Sequence, residues 1–106
     1  MSQNKYLSTL GLARIAKKLT IGTEQVRTSI KKGDAALVII ASDVSENTRK
    51  EILDSCMFYK VEAISVKETM AQLSTALGKL HSVACVAITD IGFKTLVKNS
   101  LEHQEV

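Results

Sequence analysis

The sequence predicts an α/β fold: a three-layer α-β-α sandwich around a mixed, largely parallel sheet of about four strands. Three observations carry this. Residues 35–41 and 83–89 are apolar without alternation, the pattern of strands covered on both faces. Helical patterns with recognisable starts alternate with the strands, which layers helices on a sheet. The 106 residues contain no proline and no linker-like or low-complexity stretch, so 1–106 reads as a single domain. A chain of this length buries roughly two thirds of its unfolded surface.

Taken in order, the first helix is predicted over 5–18. Leu7, Leu10, Leu12, Ile15, Ala16 and Leu19 form its apolar stripe, and Lys17 and Lys18 suit its C-terminal dipole. Gly11 interrupts it, as a close helix–sheet contact would require. A short second helix is predicted over 23–32, with Val26 and Ile30 inward, Thr23 as N-cap and Gly33 as the left-handed residue beyond its end. The strand 35–41 follows. Ser45 and its neighbours open a helix reaching Tyr59, and 61–64 reads as a short strand. Ser65-Val66-Lys67-Glu68 has the S-x-x-E spacing of a capping box and starts a helix to Gly78. After the strand 83–89, Asp90 caps a last helix with Phe93, Leu96, Val97 and Leu101 inward. The tail from about 102 is expected to fray.

Composition excludes several classes. The opening residues lack the apolar core of a secretory signal, and the longest apolar run is far short of the ~20 residues of a membrane helix. A cytoplasmic protein is therefore expected. Cys56 and Cys85 lie in predicted buried elements without a C-x-x-C partner, so they read as small core hydrophobes. Charge is uneven. Residues 1–50 hold nine Lys/Arg against four Asp/Glu, while 51–106 hold five against seven. One basic face suited to a polyanion follows from that asymmetry.

Catalytic and cofactor motifs are missing. There is no G-x-G-x-x-G, and Leu73 stands where a phosphate loop ending in Gly78-Lys79 needs glycine. His81 and Cys85 are four apart, but the second falls in a strand, and His103 lies in the tail, so no zinc site is expected. Asp43 and Asp90 follow strand ends, where capping and turn formation explain them. No cofactor, metal or enzymatic activity is expected. The helix at Thr23 is the best candidate surface. Its first amides can hold a phosphate or a base edge, and Gly22 lets a backbone approach. Glu24, Gln25 and Thr28 offer polar groups on a rigid element, with Arg14, Lys17, Lys18, Arg27, Lys31 and Lys32 as surrounding charge.

Several of these stretches together resemble the ribosomal L7Ae superfamily of kink-turn RNA binders. They are Gly22-Thr23 with Val26, Ile30 to Gly33, Ala36 to Asp43, and Leu77-Gly78-Lys79 followed by Val86 to Asp90. The opening Leu10 to Leu19 resembles the small bacterial YlxQ-type members more specifically. The resemblance implies an α-β-α sandwich that binds sharply bent RNA. In the family an Asn-Glu pair and a Lys one turn later read sheared G·A pairs, and an apolar loop before the last strand packs on a flipped-out nucleotide. By position the pair falls on Glu24-Gln25, the Lys on Thr28, and the loop on Lys79-Leu80-His81-Ser82-Val83. This chain thus has a carboxylate then an amide, and lacks the Lys. Each such base contact is worth about 1–3 kcal/mol of discrimination, so the resemblance implies structured RNA without naming the target. The implied protein is a non-enzymatic monomer or weak dimer binding ribosomal RNA or a messenger leader in translation. The alternative is a protein-interaction module on the same fold.

Overall fold

The computed structural model describes residues 5–104. The elements are α1 (Lys5–Ile15), β1 (Leu19–Ile21), α2 (Thr23–Lys32), β2 (Leu37–Ile40), α3 (Glu46–Tyr59), β3 (Glu62–Ser65), α4 (Met70–Leu77), β4 (Cys85–Ile88) and α5 (Ile91–Gln104). Helix α2 has the predicted bounds, because Val26 and Ile30 are both fully buried between flanking glycines. Every residue of β2 and β4 is buried, as uninterrupted apolar runs demand of interior strands. Among the described residues no helix is long and apolar enough to cross a membrane.

The sheet is four-stranded and mixed, in the order β1-β4-β2-β3. Its pairing is less parallel than expected. Only β2 and β3 run parallel, while β4 is antiparallel to both β1 and β2. The excess antiparallel pairing comes from the reversed direction of β4 against β2 and from β1, an unexpected strand whose Leu19 the sequence pattern assigns to the first helix's apolar stripe. Helix α1 stops at Ile15 because Lys17 adopts φ 62° and Lys18 N–H bonds back to Ala13 O at 2.8 Å, a left-handed turn closed without glycine. Leu12 and Ile15, assigned to the buried stripe, are consequently 60% and 76% exposed, and Ala16 is exposed as well. Helices α2 and α3 pack together on one side of the sheet, and α1 packs with α4 and α5 on the other.

Three further expectations are corrected: the capping box at Ser65, the partner of Gly11 and the inward place of Leu96. The capping box belongs to Thr69 and Gln72, and Ser65 ends β3. Glu68 is instead buried, accepting a hydrogen bond from the Tyr6 hydroxyl on α1. Gly11 makes its close approach to α4, with Ala76 O 3.8 Å from where a Cβ would stand, and not to the sheet. Helix α5 is described through Gln104, and the last two residues of the tail expected to fray lie outside those described. On α5, Phe93 and Leu101 pack on the core and Val97 is buried, but Leu96 is 55% exposed. Asp90 does cap this helix, its Oδ2 accepting from Phe93 N–H at 3.0 Å. Asp43 caps α4, across the chain, by accepting from Met70 N–H at 2.8 Å.

Candidate nucleic-acid interface

The start of α2 rests on a glycine. Gly22 is the N-cap, with φ 104° and ψ 152°, and it supplies no side-chain hydrogen bond. That backbone region is essentially reserved for glycine. An added Cβ would also stand 2.7 Å from Gln25 Oε1, because the Gln25 carboxamide folds back over the glycine. Thr23, expected as the cap, is the first helical residue, since Gly22 O already accepts from Val26 N–H at 2.9 Å. The Thr23 side chain faces the Cys85 thiol and pulls its pKa down.

Cys85 holds the α2 start through its backbone, with its side chain against Thr23. Its carbonyl accepts from Gly22 N–H at 3.1 Å, and its sulfur meets Thr23. Burial pushes the Cys85 thiol up to about 11, against the opposing pull of the Thr23 side chain, and burial alone lifts Cys56 to about 11. Neither is a thiolate at neutral pH, so both are structural groups. The sequence marked Cys85 only as a core residue. A contact across 62 positions leaves no trace in local pattern, so its clamping role had no signal.

This clamp also sets the loop before β4 beside the helix start. Residues 79–84 run directly into Cys85, and Ala84 O accepts from Ala41 N–H at 2.9 Å. The loop's entry is fixed by Ser74, whose hydroxyl donates to Lys79 O at 2.9 Å. Lys79, His81 and Ser82 are exposed, and Leu80, at 97% exposure, presents an apolar side chain wholly to solvent, while Val83 is buried as the anchor. The structure thus brings Gly22, Thr23, Glu24 and Gln25 to the same end of the sheet as the loop carrying Lys79, Leu80 and His81.

The remaining candidates divide by helix face. An open groove of about 760 Å³ runs along α2, with Glu24, Gln25, Thr28 and Lys32 on one wall and Thr20 and Thr89 from the sheet edge on the other. Thr20 and Thr89 were missed because β1 was missed. Arg27 is outside this groove and reaches Glu51 on α3 at 3.8 Å, with Lys31 one turn further along the same side. Lys32 Nζ lies 3.7 Å from Asp34. Among the described residues, Lys31 and Lys79 have no acidic partner, as is also true of Arg14, Lys17 and Lys18, so their charge is uncompensated, unlike that of Arg27 and Lys32. Arg14 does not flank α2 but stands at the entry to the loop that carries Lys79. It lies on the α1–α4 side, with Nη1 3.9 Å from the position of a Gly78 Cβ. Among the described residues no group of three or more His, Cys, Asp and Glu could hold a metal ion.

The model of the "Ribosomal protein L7Ae/L30e/S12e/Gadd45 family" matches residues 4–98. The chain belongs to that family. Its relatives include a Bacillus subtilis protein named RNA-binding protein YlxQ, 40% identical over 88% of this chain and 91% of the relative. The Enterococcus faecium protein of that name is 32% identical over 95% of each chain. The large ribosomal subunit protein eL30 of Euphorbia esula is 30% identical over 87% of this chain and 82% of its own. A solved Bacillus halodurans structure, described as a protein with unknown function, superposes with a TM-score of 0.85 at 35% identity, covering 92% of this chain and 97% of that one. In this chain Gly22, Gly33 and Gly78 each hold a positive φ.

Proposed function

We propose that this protein binds structured RNA, a kink-turn-like or related internal loop, without catalysing a reaction, and does so in the cytoplasm in association with the ribosome or translation. The observation that carries the reading is the clamp of Gly22 on Cys85, with Thr23 against its side chain, which places unpaired helix-start amides beside an exposed apolar loop. Amides at a helix start hold phosphate oxygens or base acceptors, and Leu80 offers a surface for an unstacked base. The relatives named as RNA-binding and ribosomal proteins support the same class.

Gly22, Thr23, Gln25, Lys79, Leu80 and His81 form the contact end, Glu24 and Thr28 line the groove that continues from it, and Lys31, Arg27 and Lys32 supply phosphate-directed charge. Glu24 accepts hydrogen bonds and cannot donate them, so it selects RNA groups bearing N–H or O–H and repels phosphate. The test is binding of an RNA with a bulged internal loop against a plain duplex at several salt concentrations. Tighter, salt-sensitive binding to the bulged RNA supports the reading. Equal affinity for the two at moderate salt overturns it.

A further inference from the structure

A second surface lies on the opposite side of the sheet. Helices α1 and α4 run side by side in the same direction: Tyr6 near the start of α1 bonds Glu68 just before α4, and Arg14 near the end of α1 meets Gly78 just after α4. Between them are two adjoining hollows of about 370 and 570 Å³ that share Leu7, Thr75 and Ala76 as walls. Small residues, Gly11 and Ala71 among them, keep the furrow open. From Leu7 to Ile15 it extends about 12 Å, two turns of a docked helix.

Its chemistry is graded along that length. One end holds Glu68, only 5% exposed yet lining the hollow, with the Tyr6 hydroxyl as its one side-chain donor among the described residues. A carboxylate offers about four acceptor positions, and one neutral donor leaves most of them unfilled. The middle is apolar, and the far end shows Leu12 and Ile15 at 60% and 76% exposure beside the exposed Arg14. A helix could have presented polar residues at these positions at no cost to the core.

We propose that the α1–α4 furrow docks an amphipathic helical segment of a partner protein, its apolar face over Leu7, Leu12 and Ile15, a Lys or Arg on Glu68 and an Asp or Glu on Arg14. Nucleic acid does not fit, because a buried carboxylate and apolar walls disfavour phosphate. The furrow lies between α1 and α4 and not along α2, and its Arg14 end borders Gly78, next to the loop that carries Lys79 and Leu80, so a docked helix would bring the partner protein beside the RNA.

The test uses ¹⁵N-labelled full-length protein and synthetic 14-residue helical peptides that share leucine anchors and differ only in their end charges: Arg with Glu, Arg with Arg, Glu with Glu, and Gln with Gln. The Arg/Glu peptide should bind about tenfold more tightly than any other, with amide shifts at Leu7, Gly11 and Ala76 and none along α2. Arg14→Glu, at an exposed position, should change the preference to the Arg/Arg peptide, and Glu68→Gln, which still accepts from Tyr6, should erase the preference for Arg. Binding that ignores end charge, shifts confined to other surfaces, or no shift at millimolar peptide would overturn the proposal.

Discussion

Helices α2 and α4 end alike and begin differently. Both stop at a glycine in the left-handed conformation, Gly33 at φ 85° and Gly78 at φ 68°, with its N–H turned back onto the last carbonyls. At the start of α4 three of the first four amides are satisfied internally. Thr69 N–H donates to Gln72 Oε1 at 2.8 Å, Met70 N–H to Asp43 Oδ1 at 2.8 Å, and Gln72 N–H to Thr69 Oγ1 at 3.2 Å. At the start of α2 only Gly22 N–H has an acceptor, and the next three amides find none among the described residues. Ser45 and Asp90 each cap one amide, at the starts of α3 and α5. A helix start costs stability when left open. This chain leaves α2 open at the end where it also exposes Leu80, the contrast on which the proposed RNA site rests.

The strongest way to break this contrast is Gly22→Val. A branched side chain at φ 104°, in space occupied by Gln25, should cost about 2–3 kcal/mol, a drop in Tm of order 10–20 °C for a domain of this size. Gly33→Ala, with nothing near the added carbon, should cost only about 1 kcal/mol. Equal losses in thermal melts would remove Gln25 and the unusual backbone from the explanation.

Gln25→Ala and Thr69→Ala sharpen the contrast from both sides. The first should cost about 1–3 kcal/mol of discrimination between bulged and duplex RNA while leaving Tm nearly unchanged. The second should remove about 1 kcal/mol of stability and leave RNA affinity alone, read by urea titration beside a binding isotherm. If Thr69→Ala weakened RNA binding as much as Gln25→Ala, the open and closed starts would not be functionally distinct.

These residues also show what was legible in the chain. The bounds of α2 followed from Val26 and Ile30 between two glycines, because that signal is local. Strand β1 was hidden because Leu19 fits the helical period of α1 and the terminating residue, Lys17, carries no left-handed signature. The S-x-x-E at Ser65 had the correct spacing, but a buried hydrogen bond from Tyr6 claimed Glu68 across the fold. That burial, with Glu68 as acceptor, also raises the Tyr6 hydroxyl far above the ordinary tyrosine range. Site residues fared the same way. Lys31 could be picked from charge, whereas the pairing of Arg27 with Glu51 and the Cys85 clamp needed tertiary structure.

Smaller effects bear on charge. Lys31→Ala should weaken all RNAs similarly and flatten the salt dependence by about one phosphate contact. Arg27→Ala should do less, because Glu51 already compensates that charge. The smallest expected effect lies away from both helix starts. Lys98, through a hydrogen bond and charge, and Lys94 hold the Glu62 carboxyl below its usual range. Its contribution is therefore present above the ordinary carboxylate pKa and is lost as pH falls through the lowered value. The group is 40% exposed, so Glu62→Gln should cost less than about 1 kcal/mol at pH 7. The difference should vanish in acid, as urea titrations of the two proteins across pH would show.

The most direct measurement is an amide titration of the ¹⁵N-labelled protein with a bulged RNA. The account predicts large shifts and slowed hydrogen exchange at Thr23, Glu24 and Gln25, with Thr69, Met70 and Gln72 unmoved. Shifts of similar size at both helix starts, or at α4 alone, would contradict it.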